Sequence, residues 1–244
     1  MSLEKTYLNI KEKFGRSLDL EPFCIVKAVD DHRNFWKPKN VRIILLAESH
    51  VHTLMDEYNS SMSYEKFDGL DGCPSNYVKL VYCLGYGENE LSNLDTNSRT
   101  WQFWRIFTSC VTENPSAEFG KVETGETPDF TQRLQNKIEL LNKLKENGIW
   151  LLDASIVALY KNNSKPSEKT TERIIKMCWE QHISQVIQEV KPEKIIVIGK
   201  GVFKILQLKL NRNNIDFAVQ EQPRMLSSEK WKEYSEKYYK LCNS

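Results

Sequence analysis

Polar or titratable side chains follow each of four short apolar segments of this sequence. They are Glu48, Ser49, His50 and His52 after the first segment, Asp153 after the second, Lys200 after the third, and Gln222 and Arg224 after the fourth. Carboxylates and imidazoles can transfer protons, amides can read hydrogen-bonding edges, and lysine and arginine can bind phosphates. If the four segments are parallel strands of one sheet, their carboxyl ends bring these groups to the edge where ligands bind.

Most of these groups also have a structural explanation. Glu48 could stabilise a helix N-terminus, Asp153 could cap a helix or a turn, and His50 and His52 could be surface loop residues. Residues 199–201 could form a tight turn between a strand and a helix, and the sequence around Lys200 lacks the spacing of a P-loop. Because such groups follow all four segments, we favour one shared site over separate structural roles.

The four apolar segments have the length and composition of buried strands. They comprise residues 41–47, 149–152, 195–198 and the weaker Asp216–Gln220. Short continuous runs rich in Ile, Val and Leu are typical of strands covered on both faces, as in a parallel sheet.

Helical patterns separate these strands. They span residues 76–85, 100–112, 129–147, 167–190, 201–211 and 230–241, and residues 114–129 are predicted to be a long loop. The alternation predicts an α/β fold with three α/β/α layers around a central four-stranded parallel sheet. We expect a single domain over residues 1–244, with a core of about 41–228 and helical extensions at both ends.

Composition excludes several classes of protein. The chain has 244 residues, of which 40% are hydrophobic and 27% charged, as in ordinary globular proteins. No apolar run reaches the ~18 residues of a membrane span, and the charged N-terminus lacks a signal-peptide core. We therefore expect a cytoplasmic monomer with no membrane association.

Charge is unevenly distributed along the chain. The net charge is only +1, which disfavours a protein that coats nucleic acid with a basic surface. Residues 1–193 carry 24 basic and 28 acidic groups, whereas residues 194–244 carry 10 basic and 5 acidic groups. This basic C-terminal part could contact phosphates, or it could be an ordinary solvated helical surface.

The six cysteines give no clear metal site. None of them forms a CxxC pair, and only Cys178 and His182 have the i, i+4 spacing of two ligands on one helix. A structural zinc site needs about four ligands, and no second pair is present in the sequence. We predict no metal and no other cofactor.

The strand ends, taken in order, resemble the motifs of the uracil-DNA glycosylase superfamily. Residues 47–52 (AESHVH) fall where that family has Gly-Gln-Asp-Pro-Tyr-His or Gly-Glu-Ala-Pro-Gly, and residues 150–154 (WLLDA) resemble its Leu-Leu-Leu-Asn-Ala. Residues 199–200 match its Gly-Lys, residues 222–226 (QPRML) fall on its His-Pro-Ser loop, and residues 72–78 resemble its Gly-x-Pro-Phe-Val-Gly. The resemblance covers residues 41–228 and rests more on order and spacing than on identity.

The resemblance implies an enzyme that hydrolyses the N-glycosidic bond of a flipped-out damaged or deaminated base in DNA. It places Glu48 and Gln222 among the catalytic groups, Ser49 and Asp153 at the base, and Lys200 at a phosphate. Arg224 would bind another phosphate, and Met225 and Leu226 would form the apolar wedge that enters the duplex. We add His50 to the catalytic groups as a titratable neighbour, and Tyr77 as the ring that stacks on the base, with Tyr64 and Tyr58 as alternatives.

The sequence departs from the family at three functional positions. Ser49 replaces the catalytic Asp of some branches, whereas other branches have Ala or Asn there. Asp153 replaces the Asn that reads the pyrimidine edge, which predicts a changed base preference or a protonated carboxyl group. Gln222 replaces the His that donates to the leaving base.

The cysteine spacing that holds the iron–sulfur cluster of some family members is absent from this sequence.

Two alternatives follow from these departures. The chain could be a nucleic-acid-binding module of the same fold that lacks glycosylase activity. It could also be an unrelated α/β hydrolase of small molecules with Ser49 or Ser155 as nucleophile, although neither serine lies in a GxSxG elbow.

Overall fold

A four-stranded parallel sheet lies at the centre of the protein. The computed structural model describes residues 1–64, 66–94, 100–161, 164–212, 215–222 and 228–244. The strands are β1 (Ile43–Ala47), β2 (Ile149–Asp153), β3 (Lys194–Ile198) and β4 (Asp216–Gln220), in the spatial order β2-β1-β3-β4. All three neighbouring pairs are parallel, and the register places Leu45 opposite Leu151 and Ile196.

The sheet forms because its strands are apolar on both faces. Every residue of β1 and β2 is buried, and so are four of the five residues of β3. The edge strand β4 is only partly buried, in line with its weaker apolar pattern. All four predicted strands and the parallel α/β fold are confirmed.

Helices cover the sheet in two groups. In chain order they are α1 (Leu3–Phe14), α2 (Phe23–Phe35), α3 (Met55–Tyr58), α4 (Asn89–Ser92), α5 (Trp101–Val111), α6 (Pro115–Val122), α7 (Phe130–Glu146), α8 (Glu168–Cys178), α9 (Ser184–Val190), α10 (Lys200–Arg212) and α11 (Ser228–Asn243). In one group, α1, α8 and α10 pack together and α10 contacts β3 and β4. In the other, α5 packs against α6, α7 and α11, and α7 contacts β2.

Most of the predicted helices are confirmed, with one irregularity. The helix predicted over residues 167–190 is present, but the π-helical turn Trp179–Ile183 separates α8 from α9. Cys178 and His182, the two residues with the spacing of metal ligands on one helix, lie at this irregularity. Cys178 Sγ accepts a hydrogen bond from the Ile156 N–H, whereas His182 Nδ1 faces the Met1 carbonyl, so the two side chains have separate partners.

The helix predicted over residues 76–85 is wrong. This segment is a series of turns, in which Cys83 N–H donates to Leu80 O and Tyr86 N–H donates to Cys83 O. Its apolar residues are buried on all sides and not along one helical face, so their spacing does not identify a helix. Contacts with other segments replace helical hydrogen bonds, since the Trp36 indole donates to Tyr82 O.

The long loop predicted over residues 114–129 is also wrong in part, because it contains α6. Pro115 occupies the first turn of this helix, where a missing N–H has no cost, and Phe119 and Val122 are buried. Gly120 lies on α6 next to the carboxylate of Glu126, an exposed side chain that would have to move to admit a Cβ at this position. Residues 115–122 of the predicted loop therefore form a short helix that packs through Phe119 and Val122.

Candidate functional site

An open cleft of about 430 Å³ lies at the carboxyl ends of the strands. We call it the Glu48 cleft, and its lining includes Glu48 after β1, Gly199 and Lys200 after β3, and Gln222 after β4. The chain leaves β1 for β2 on one side and returns to β3 on the other, so the order of the strands reverses between β1 and β3. Crevices at such a reversal are the usual ligand sites of open α/β sheets.

Glu48 is held in this cleft by two donors from the segment that follows β2. The Tyr160 hydroxyl donates to Glu48 Oε2 at 2.6 Å, and the Lys165 ammonium donates to Oε1 at 2.6 Å. The Lys165 Nζ also lies 5.3 Å from the centre of the Tyr160 ring. Glu48 is 8% exposed, so its carboxylate is oriented by fixed partners while it still borders the cleft.

The backbone around Glu48 is fixed by a short continuation of the β1–β2 pairing. Ser155 N–H donates to Glu48 O at 3.0 Å, and His52 N–H donates to Tyr160 O at 2.9 Å. Leu159 N–H donates to Ser49 Oγ at 3.2 Å. The two segments that carry the carboxylate and its donors are therefore joined on both sides of Glu48.

The N-terminus of α10 forms another wall of the cleft. Gly199 has a φ of +101°, a conformation open to glycine and strained for other residues, and it turns the chain from β3 directly into α10. Lys200 pairs with Glu221 at 2.5 Å, and both side chains are largely exposed. Gln222 is exposed at the same edge, so Lys200 and Gln222 lie in the same cleft as Glu48.

His50 and Asp153 belong to a buried polar network next to this cleft. His50 Nε2 lies 2.8 Å from Glu21 Oε2, and His50 Nδ1 lies 3.8 Å from Asp153 Oδ2. The Arg33 guanidinium donates to the same Asp153 oxygen at 2.8 Å. The side chains of all four residues are at most 5% exposed, and His50 and Asp153 are not among the residues that line the Glu48 cleft.

Glu21 connects three segments of the chain through this network. Besides His50, its carboxylate accepts hydrogen bonds from Thr53 N–H at 2.6 Å and Ala158 N–H at 3.3 Å. Burial opposes the charged form, but the attraction and hydrogen bond of His50, together with the Thr53 N–H, hold the pKa of Glu21 below its usual value. The carboxylate thus binds the loop after β1 to the loop after β2.

The remaining predicted site residues lie in several places. Ser49 is partly exposed beside Glu48, whereas Tyr77 is fully buried with its ring edge-on to Tyr86. Tyr77 is not among the residues that line the Glu48 cleft. Arg224, Met225 and Leu226 lie outside the described residues, so their predicted contacts with DNA stay predictions.

Sequence reasoning missed Glu21, Arg33, Tyr160 and Lys165. Tyr160 and Lys165 lie on the segment that continues from Asp153, the last residue of β2, and their position after a strand end is the sequence signal that points to them. Glu21 precedes α2 and Arg33 lies within it, far along the chain from the strand ends. Nothing in their local sequence distinguishes them from ordinary surface charges.

Comparison with known proteins gives no assignment, because no family model and no curated protein matches this sequence. Among the described residues, no helix has the length and apolar character needed to span a bilayer. The same part of the chain contains no group of three or more His, Cys, Asp or Glu side chains arranged for a metal ion.

Proposed function

We propose that this protein hydrolyses the N-glycosidic bond of a damaged or deaminated base that is flipped out of DNA into the Glu48 cleft. The observation that carries the proposal is a carboxylate held by two donors at the strand reversal between β1 and β3. The resemblance of the strand-end motifs to the uracil-DNA glycosylase superfamily supports the choice of substrate. A cleft of this volume falls in the usual range of small-molecule sites.

In the proposed reaction, Glu48 stabilises the positive charge that develops on the sugar as the bond to the base breaks. The C1′–N bond breaks with its electron pair going to the base, the oxygen of a water molecule bonds to C1′, and one water proton ends on the base. A fixed carboxylate is effective here because it needs no reorganisation when the charge develops. Its contacts with Tyr160 and Lys165 supply that fixed orientation.

Other residues of the cleft have secondary roles in the proposal. The Gln222 amide can donate to an oxygen of the leaving base, as a neutral replacement for a histidine. Lys200 and the N-terminus of α10 suit a phosphate of the DNA backbone, because helix N-termini and ammonium groups both favour anions. The Glu21 carboxylate, which binds both His50 and the Ala158 N–H, links the loops that carry Glu48 and Tyr160, and Asp153 lies beside His50 in the same network.

The direct test is release of a base from defined oligonucleotides. Purified protein in excess is incubated with single- and double-stranded oligonucleotides that contain uracil, hypoxanthine or a mismatch, and the free base is measured by chromatography. Free nucleosides form a parallel arm that tests for a small-molecule glycosidic hydrolase. We expect release from at least one oligonucleotide, and no release across the panel would contradict the proposal.

A second candidate function is nucleic-acid binding without catalysis. It is favoured by one observation, that both oxygens of the Glu48 carboxylate already accept hydrogen bonds from Tyr160 and Lys165. This candidate predicts salt-sensitive DNA binding that weakens when Lys200 and Arg224 are replaced, with no base released. Binding that is unchanged by both replacements would count against it.

The small-molecule serine hydrolase receives less support. A serine nucleophile needs a neighbouring base to take its proton. Ser155 is fully buried and donates to Val157 O, and Ser49 accepts from Leu159 N–H. In the described part of the chain, no hydrogen bond joins either serine to a histidine.

A further inference from the structure

A second cavity of about 360 Å³ lies beside the Glu48 cleft. We call it the His52 cleft, and the lining residues used below are Leu18, Leu20, His52, Leu159, Lys161 and Lys165. Lys165 lines both cavities, so the two clefts meet at the side chain that binds Glu48. The proposed reaction at Glu48 does not require this second cavity.

His52 is the unusual residue of this cavity. It is 8% exposed, and both of its ring nitrogens are buried without a hydrogen-bond partner among the described residues. Burial lowers the pKa of the His52 imidazole, against the opposite effect of Glu21, so the ring is neutral near neutral pH. A neutral imidazole offers one N–H donor and one acceptor, and leaving both unpaired costs free energy.

The His52 cleft combines apolar surface with charged groups that are already paired. Leu18, Leu20 and Leu159 supply apolar surface. The Lys161 ammonium pairs with Asp19, and the Lys165 ammonium pairs with Glu48. This cavity therefore favours a neutral group with apolar faces and an edge that both donates and accepts, more than it favours a bare anion.

We propose that the His52 cleft binds a second nucleobase, the neighbour of the base held in the Glu48 cleft. A nucleobase has the flat faces that the leucines can cover and an edge with donors and acceptors for His52. The inference rests on the proposed function, because it takes the occupant of the Glu48 cleft to be a nucleotide. Lys165, which borders both cavities, is then placed near the phosphate that joins the two nucleosides.

This arrangement has a consequence for the substrate. A base in the His52 cleft is unpaired, so two adjacent nucleotides leave the stack together. Unpairing is least costly in a single strand or beside a mismatch. We therefore expect the protein to prefer single-stranded or locally open DNA over a fully paired duplex.

The test is a double-mutant cycle that couples His52 to the neighbouring base. Binding is measured by fluorescence anisotropy with the full chain in the Glu48→Gln background, so that the oligonucleotide stays intact. One single-stranded oligonucleotide carries the target base with normal neighbours, and two others carry an abasic analogue on the 5′ or the 3′ side. The cycle compares the Glu48→Gln protein with the protein that carries both Glu48→Gln and His52→Leu. The second substitution replaces the imidazole with an apolar side chain of similar size.

We expect removal of one neighbouring base to weaken binding by roughly 5- to 100-fold when His52 is present, as for a base that stacks on protein. In His52→Leu the same removal should have a clearly smaller effect. The Leu18→Ser variant should also reduce the effect without touching His52, whereas Leu208→Ser, at an exposed leucine of α10, should not. Leu18→Ser keeps the test valid if His52→Leu fails to fold.

Two results would overturn the inference. Only the second of them would also contradict the proposed function. If target-containing oligonucleotides bind but the neighbouring base has no effect, or an equal effect in all variants, the His52 cleft is not a base pocket and the proposed function stands. If no oligonucleotide binds and none releases its base, both the inference and the proposed function fail.

Discussion

Glu21 joins three segments of the chain through one buried carboxylate. Its oxygens accept hydrogen bonds from Thr53 N–H, Ala158 N–H and His50 Nε2, and its side chain is fully buried. A buried charge with all of its partners in place is tolerated, but removal of one partner leaves the others unsatisfied. We therefore regard Glu21 as a residue that positions the loops of the cleft and does not touch the substrate.

The Glu21→Ala variant tests this interpretation through stability. It leaves the His50 imidazole and the N–H groups of Thr53 and Ala158 without their acceptor, and we expect the free energy of unfolding to fall by about 3–5 kcal/mol. Urea denaturation at neutral pH gives the value. Glu193→Ala is the matched control, because Glu193 makes an exposed pair with Arg42 at 3.2 Å and should cost about 1 kcal/mol or less. Equal losses in the two variants would contradict the role of Glu21.

His32 predicts a pH dependence of stability. The side chain is buried, its Nε2 lies 2.9 Å from Asn76 O, and burial lowers its pKa from 6.5 to about 4, although the Asn76 carbonyl raises it. Between these two values the unfolded chain binds a proton that the folded protein does not, so stability falls as the pH falls.

We expect His32 to account for a loss of about 2 kcal/mol between roughly pH 7 and pH 5. The measurement is urea denaturation at both pH values in the wild type and in His32→Gln, which keeps a donor for Asn76 O. The pH dependence should be weaker in His32→Gln by that amount. An unchanged pH dependence would show that His32 does not resist protonation in the folded protein.

At the level of elements, the turn from β3 into α10 shapes the Glu48 cleft. Gly199 and Gly201 lie two residues apart in this turn, but only Gly199 has a positive φ, of +101°. A Cβ at Gly201 would have no heavy atom within 4 Å. The backbone conformation therefore favours glycine at position 199, whereas the space around position 201 admits a larger residue.

This difference gives a paired prediction. Gly199→Ala should lower the free energy of unfolding by about 1–3 kcal/mol, because alanine is strained at this φ. Gly201→Ala should be neutral or stabilise by up to about 1 kcal/mol, because it removes flexibility from the unfolded chain at a helical position. Thermal or urea denaturation of both variants provides the comparison. An equal loss in the free energy of unfolding at the two positions would contradict the claim that Gly199 is needed for its backbone conformation.

The elements also show what a single sequence can predict. The strands were predicted because burial on both faces produces continuous apolar runs such as residues 41–47, which few other structures require. The segment 76–85 was mistaken for a helix because turns buried on all sides also contain apolar residues at three- and four-residue intervals. Periodicity reports where apolar residues recur, and it does not report which hydrogen bonds the backbone makes.

The candidate site was predictable to a similar extent. Glu48, Lys200 and Gln222 were found because they directly follow strands, and parallel strands bring such residues to one edge. Glu21 was not found, because its contact with His50 spans 29 positions and leaves no local pattern. The sequence positions of His50 and Asp153 do not reveal that His50 pairs with Glu21, that Asp153 pairs with Arg33, and that both side chains are buried.

At the level of the whole molecule, the distribution of charge limits how nucleic acid can bind. The net charge of the chain is only +1. At the Glu48 cleft, Lys165 is paired with Glu48 and Lys200 with Glu221. Binding of this protein would therefore release few counterions from a DNA strand. A protein with an extended basic surface would release more.

We expect a shallow salt dependence of binding to single-stranded DNA. With about two to four phosphate contacts, the slope of log K against log salt concentration should lie between roughly −1 and −3. Lys200→Gln should make the slope about 0.7 less negative, whereas Lys237→Gln, in an exposed pair with Glu233 on α11, should leave it unchanged. A slope steeper than about −5 would mean that the contact surface extends well beyond the cleft.

The most direct test of the account is the rate of base release by Glu48→Gln. The amide keeps the size of the side chain and removes the negative charge that is proposed to stabilise the sugar. In single-turnover reactions on the best oligonucleotide of the panel, we expect Glu48→Gln to release the base at least about 100-fold more slowly than the wild type. Glu193→Gln, at an exposed glutamate outside the cleft, should retain the wild-type rate. Equal rates for Glu48→Gln and the wild type would contradict the central claim that the Glu48 carboxylate carries the reaction.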